Sequence, residues 1–179
     1  LDLGGGLGIP YEKDQEPINF SDVSKILFKL KKKYEIKNIW MELGRFAVGE
    51  SGYYFSKIID RKTVRGKEIL VLNGGINHIA RPAIVNQFFP CHSLKAYNKK
   101  NKPFQIHGPL CTALDYLGTF ELPEDLKQND WLFFSKVGAY GFTESMPYFL
   151  CHDLPSENIY YKGDFMSPRP SKTSNDWMI

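Results

Sequence analysis

"GYYFSKIIDRKTVRGKEILVLN", residues 52–73, decides how the chain is read. β-Branched and aromatic side chains crowd both sides of Arg65-Gly66, a pair with hairpin-turn chemistry, so the stretch predicts two antiparallel strands joined tightly. The same texture continues downstream. "AIVNQFF" (83–89), "PFQIHG" (103–108), "WLFFSK" (131–136), "PYFLCH" (147–152) and "NIYYK" (158–162) all read as strands. "LPEDLKQND" (122–130) reads as a polar connection, and "SPRPSKTSNDW" (167–177) as a loosely packed end. Residues 48–179 are therefore expected to form a mostly antiparallel β domain, a barrel or a sandwich.

Working outward to the N-terminal side, the pattern changes. "LDL" (1–3) reads as a strand that begins in mid-core. Ser21 is a plausible helix N-cap, and Val23, Ile26, Leu27, Leu30 and Tyr34 recur at helical spacing. Lysines 29, 31, 32 and 33 gather toward the C-terminal end, where the helix dipole favours cations. "NIWMEL" (38–43) is a second apolar strand. Strand, helix, strand is a βα unit feeding a parallel neighbour. Because it opens in mid-strand without methionine, the chain is expected to be the later part of a longer protein. In that reading residues 1–47 close a barrel of parallel strands, whose C-terminal ends share the face where sites are built.

Composition narrows the function classes. The 179 residues are 42% hydrophobic, 24% charged and 15% aromatic, an ordinary globular mixture with enough chain for a core. A net charge of +3 is too small to argue for nucleic acid, and "KLKKKYEIK" (29–37) reads as a solvated helix face. No apolar stretch has the length of a membrane span, and none reads as a signal peptide. Cys91, Cys111 and Cys151 are odd in number and scattered, which fits a reducing, cytoplasmic compartment better than a disulfide framework or a zinc site.

Gly4, Gly5 and Gly6 follow the first strand directly. Three adjacent glycines lose much backbone entropy on folding, so something should require them, and bare peptide N–H groups after a strand commonly meet a phosphate. "GGGLG" nevertheless fits the dinucleotide pattern G-x-G-x-x-G poorly, and Pro10 and "EKDQEP" (12–17) delay the next helix.

Five motifs now stand in order: "GGGLG" (4–8), "ELGR" (42–45), "NGGINHIARPAI" (73–84), "GPLCTALD" (108–115) and "GAYG" (138–141). Together they resemble the C-terminal half of the fold-type III pyridoxal-phosphate decarboxylases, which include the ornithine, arginine and diaminopimelate enzymes. The likeness runs through residues 1–160. It implies an α/β plus all-β fold, the end of a (β/α)8 barrel over residues 1–47 followed by a β barrel or sandwich like the alanine racemase C-terminal domain over 48–179. It implies pyridoxal 5′-phosphate as cofactor, no metal, and a homodimer with shared active sites.

Residue by residue, the resemblance implies that Gly4, Gly5 and especially Gly6 donate peptide N–H groups to the cofactor phosphate, which Tyr140 also binds. Glu42 matches the acid that pairs with the pyridine nitrogen. Ending an apolar strand, it is expected to be a buried acid with a partner. Gly44 and Arg45 complete "ELGR", and the Arg45 fork suits a phosphate or a substrate carboxylate. Arg81 matches a carboxylate-binding arginine of the diaminopimelate branch; as a turn residue beside Pro82 it has an equally good structural reading. Cys111 matches a cysteine that reaches across the dimer interface as proton donor, against the plainer reading of a small buried hydrophobe. Thr112 and Asp115 are placed near the substrate.

The departures from the family pattern carry information. "ELGR" replaces the usual "EPGR", the tyrosine expected near position 85 is Val85, and Thr112-Ala113 stand where other branches carry an acid for a distal ammonium. A free diamino acid is therefore not expected as substrate. The pattern is closer to the branch that decarboxylates amino acids tethered to an acyl carrier protein. The lysine that holds the cofactor covalently in the family is expected upstream of this chain. Two rivals remain: a non-catalytic homologue that binds a partner protein, and a racemase using the same cofactor.

Overall fold

The computed structural model describes residues 1–12, 14–95 and 100–178. Its centre is one six-stranded mixed sheet, in which β1 (Tyr53–Val64) and β2 (Lys67–Leu72) form the expected hairpin. Arg65 and Gly66 both have positive φ, 51° and 75°, as a two-residue hairpin turn requires. β3 (Cys91–Ser93), β4 (Asn101–His107), β5 (Tyr116–Pro123) and β6 (Trp131–Ser135) complete the order β3-β6-β1-β2-β4-β5. Every neighbouring pair is antiparallel except β2 with β4. The two ends of the order, β3 and β5, approach each other, so the sheet curls into a nearly closed barrel.

Alternation explains the core. Ser56 and Ile58 point inward from β1, Leu70 and Leu72 from β2, Phe104 and Ile106 from β4, and Leu132 and Phe134 from β6, all at 1% exposure or less. Phe89, Leu117 and Leu126 fill the remaining volume.

At the N-terminal side, Leu1–Leu3 pair in parallel with 40–42: Leu3 N donates to Trp40 O (3.0 Å) and Glu42 N to Gly4 O (2.9 Å). Between them lies α1 (Phe20–Lys33), which buries no residue. Its N-cap is Asn19, not Ser21; the Asn19 side chain accepts from Ser21 N. α2 (Gly44–Val48) follows the second strand at once.

Two further readings of the sequence are corrected. "AIVNQFF" is not a strand. Residues Arg81–Val85 form a short helix, α3, in which Pro82 occupies the first turn, where its missing N–H costs nothing, and Asn86 ends it at φ 52°. "PYFLCH" is a 3-10 turn, Phe149–Cys151, with Leu150 and Cys151 at positive φ. The tail is loosely packed, as expected, with no buried residue over 167–177, but it carries hydrogen-bonded elements. β7 (Glu157–Tyr161) and β8 (Asp164–Arg169) form a hairpin, Leu154 and Lys172 exchange backbone hydrogen bonds, and α4 (Ser174–Trp177) begins with a capping box from Thr173. Among the described residues, no helix is long and apolar enough to cross a membrane.

Candidate functional site

Three separated stretches meet at one open pocket of about 230 Å³, lined by Gly5, Gly6, Leu7, Glu42, Gly44, Arg45 and Tyr140. The parallel pairing of residues 1–4 with 40–42 puts the glycine turn beside Glu42. α2 then carries Arg45 to the rim. Tyr140 arrives from the segment after β6 through a backbone-to-backbone approach: Gly138 N donates to Gly49 O (3.0 Å), and a methyl on Gly138 would fall 1.8 Å from Val48 O. Only glycine permits that contact.

Gly4 and Gly6 have φ of 71° and 99°, with open space where a side chain would stand. The Gly4 N–H already donates to Asp2 Oδ1 (2.9 Å), so it is not left for a ligand. No described residue accepts from the N–H groups of Gly5 and Gly6. Glu42 is exposed at this pocket rather than buried, which corrects the expectation of a sheltered acid.

Tyr140 holds a left-handed backbone, φ 58°, a conformation a tyrosine keeps only where its surroundings impose it. Two guanidinium groups lie against its ring. Arg81 lies 4.6 Å and Arg45 5.9 Å from the ring centre. Gln87 Oε1 accepts from both, from Arg81 Nε at 2.9 Å and Arg45 Nη1 at 3.2 Å. Arg81 Nη1 also donates to Glu144 Oε2 (2.9 Å) and Oε1 (3.2 Å). Neither Gln87 nor Glu144 stood out in the sequence. The only signal was an acid and an amide close after the "GAYG" and "ARPAI" motifs.

Asp115, Cys111 and Thr112 do not line this pocket. Asp115 is 2% exposed, and its two carboxylate oxygens accept from backbone N–H groups, Oδ1 from Ile76 (2.8 Å) and Oδ2 from Leu110 (2.7 Å). It fastens the "NGGINH" and "GPLC" loops to each other. Burial pushes its carboxyl above the usual carboxylate range, against the opposing pull of those N–H groups. Thr112 Oγ1 accepts from Leu114 N (3.2 Å) within its own loop, and Cys111 is exposed at the loop's surface. By contrast Cys91 is buried, which pushes its thiol well above the ordinary range and leaves it inert.

Tyr54 of β1 and His78 of the "NGGINH" loop form a half-buried polar pair. His78 Nε2 donates to Asp153 O (3.2 Å), so Nδ1 accepts from the Tyr54 hydroxyl (2.8 Å) and the ring is held neutral. Burial lowers the His78 pKa and raises that of Tyr54.

The pocket thus offers free peptide N–H groups, a phenol, a carboxylate and a guanidinium around open space. That set suits a phosphate-bearing group with a ring that accepts a hydrogen bond or a proton.

The family model described as "Pyridoxal-dependent decarboxylase, C-terminal sheet domain" matches residues 18–138. The diaminopimelate decarboxylase of Aquifex aeolicus is 31% identical over 149 residues, which cover 83% of this chain and 35% of that protein. An L-glutamyl-(BtrI acyl-carrier protein) decarboxylase from Niallia circulans is 24% identical over 190 residues, covering 98% of this chain and 44% of the relative. The solved structure of diaminopimelate decarboxylase from M. jannaschii in complex with L-lysine superposes with a TM-score of 0.89 at 28% identity, covering 98% of this chain and 41% of that one. The chain spans 35% to 44% of the length of these two curated relatives.

Proposed function

This chain belongs to the pyridoxal-dependent decarboxylases, whose C-terminal sheet domain it contains, and we propose that it supplies the C-terminal side of the active site of an amino-acid decarboxylase. The observation that carries the reading is the convergence of Gly5, Gly6, Glu42, Arg45 and Tyr140 from three distant stretches on one pocket. In this reading residues 1–47 end a (β/α)8 barrel, residues 48–179 are the C-terminal β domain, and the enzyme is a cytoplasmic homodimer with shared sites.

The Gly5 and Gly6 N–H groups and the Tyr140 hydroxyl hold the phosphate of pyridoxal phosphate. Bound there, pyridoxal phosphate supplies an electron sink for the carbon that loses its carboxylate. The Glu42 carboxylate keeps a proton on the pyridine nitrogen. Arg45 orients a carboxylate with its planar fork. Cys111, exposed on a loop that Asp115 fixes, reaches the partner subunit's site and delivers a proton from Sγ to the α-carbon.

The substrate is an amino acid without a free distal ammonium, and a carrier-linked glutamyl group is the first candidate. Thr112-Ala113 support this, because a hydroxyl and a methyl cannot balance a distal cation. The alignment of 98% of this chain with 44% of a carrier-protein glutamyl decarboxylase, at 24% identity, supports it too.

The test uses the full-length enzyme. Glu42→Ala should lower turnover roughly a hundredfold or more, while cofactor affinity falls less than about tenfold. Equal loss of both would show that Glu42 grips the cofactor rather than tuning it. Rapid turnover of ornithine, lysine or diaminopimelate would overturn the substrate assignment.

A further inference from the structure

We infer that Glu144 is a specificity-determining residue: by pairing with Nη1 of Arg81, which lies against the Tyr140 ring beside the pocket rather than in its lining, it neutralises the second guanidinium group near the site, so that the site accepts a substrate with a single free carboxylate. The inference rests on the functional reading above and deepens it.

The geometry is particular to this cluster. Arg81 and Arg45 flank the same Tyr140 ring and share one neutral acceptor, Gln87 Oε1. Without a counter-ion, two cations this near a common ring would attract a second anion into the pocket. Glu144 supplies that counter-ion from within the chain. Both its oxygens face Arg81 Nη1, and the pair is sheltered, with side-chain exposures of 11% for Arg81 and 29% for Glu144, so solvent screens it less than a surface pair. Glu42, Arg45, Arg81 and Glu144 together sum to zero charge. Removal of the Glu144 charge leaves one positive charge beside the pocket, with a half-buried fork to receive a carboxylate.

The turn that carries Glu144 is fastened independently of the ion pair. The Phe142 ring lies 3.8 Å from the Arg169 guanidinium, Ser145 N donates to Phe142 O (3.1 Å), and Met146 N donates to Ile76 O (3.0 Å). A substitution at Glu144 therefore changes the charge of the site more than its shape.

Calorimetric titration of the full-length protein with glutarate and with valerate compares a dicarboxylate with its monocarboxylate counterpart. The wild type should bind the two within about threefold of each other. Glu144→Gln should shift the preference toward glutarate by roughly tenfold, and the double variant Arg81→Gln/Glu144→Gln should return to the wild-type ratio. Glu144→Ala gives the same comparison if the amide variant folds poorly. An unchanged ratio in the single variants, or a glutarate preference that persists without Arg81, overturns the inference. Uptake of pyridoxal phosphate by the wild type, followed by visible absorbance, separately tests the reading on which it rests. Uptake with an unmoved ratio sinks the role of Glu144 alone, whereas a shifted ratio without uptake supports that role and sinks the cofactor assignment.

Discussion

Residues 1–48 and the sheet that follows are held by different physics. In the sheet, Ile58, Leu70, Leu72, Phe104, Ile106, Leu132 and Phe134 are all completely buried, so removal of apolar surface from water holds the strands together. Among the described residues of 1–48, Ile9 alone is buried, and α1 leaves Ile26 at 64% and Phe28 at 69% exposure. That segment rests on a few parallel backbone bonds, on Ile9 against Gly49, on the edge of Tyr11 against Phe89, and on Lys136 Nζ donating to Pro10 O. The pocket lies on the seam, with Tyr140 from the firm region and Gly5, Gly6 and Glu42 from the loose one. The difference teaches that the site draws on two kinds of support: Tyr140 follows a sheet closed over its own core, whereas Gly5, Gly6 and Glu42 stand on a segment whose apolar helix face, Ile26 and Phe28 included, is left uncovered by the described residues.

The largest expected effect contrasts the two regions directly. In the 179-residue chain, Leu70→Ala should cost about 3–4 kcal/mol of unfolding free energy, the usual loss for a filled core site, whereas Ile26→Ala, at a side chain 64% exposed there, should change it by less than about 0.5 kcal/mol. Denaturant melts of both variants measure this, and similar costs would break the comparison. Next is Asp115→Asn. An amide offers one oxygen to two buried N–H groups, so either Ile76 or Leu110 loses its acceptor, at about 2 kcal/mol. Hydrogen exchange should then speed at those two amides; unchanged protection at both would show that the loops are fastened otherwise.

The smallest effect is a pH dependence. Burial lowers the folded-state pKa of His78 from its ordinary value of 6.5, so proton uptake favours the unfolded chain. The stability His78 contributes is complete above that ordinary value and is lost as pH falls through the lowered one. Melting curves across this range should show an acid-side slope of no more than about 1.4 kcal/mol per pH unit from this group, and His78→Gln should flatten it. Identical slopes in the two proteins would remove His78 from the account.

Much of this was legible in the sequence where local chemistry decides. Arg65-Gly66 could only turn one way, the alternation through 52–73 placed a buried face, and the glycine and "ELGR" motifs marked strand ends. Legibility failed where a single residue masks the pattern. Gly118, at φ 129° beneath the Phe88 and Phe120 rings, interrupts "YLGTFELP" and hid β5. In "RPAIVNQFF" the β-branched residues outweighed a proline at a helix start and an asparagine at its end. Asn19 outcompeted Ser21 as a cap because its side chain reaches the N–H of the second residue of α1. The site was half legible. Motifs located Gly5, Gly6, Glu42, Arg45 and Tyr140, but Glu144 meets Arg81 across 63 positions of chain, and no local pattern announces such a contact.

The central claim is that the bare backbone at Gly6 faces a phosphate, and a matched pair of glycines tests it. Gly6 and Gly66 both hold positive φ, 99° and 75°, with open space beside them, so alanine strains either position by a similar amount, about 1–2 kcal/mol. Titration of pyridoxal phosphate into full-length Gly6→Ala and Gly66→Ala, followed by visible absorbance, separates strain from contact. The account predicts at least about tenfold weaker uptake for Gly6→Ala and wild-type uptake for Gly66→Ala. Equal uptake by the two variants would contradict it.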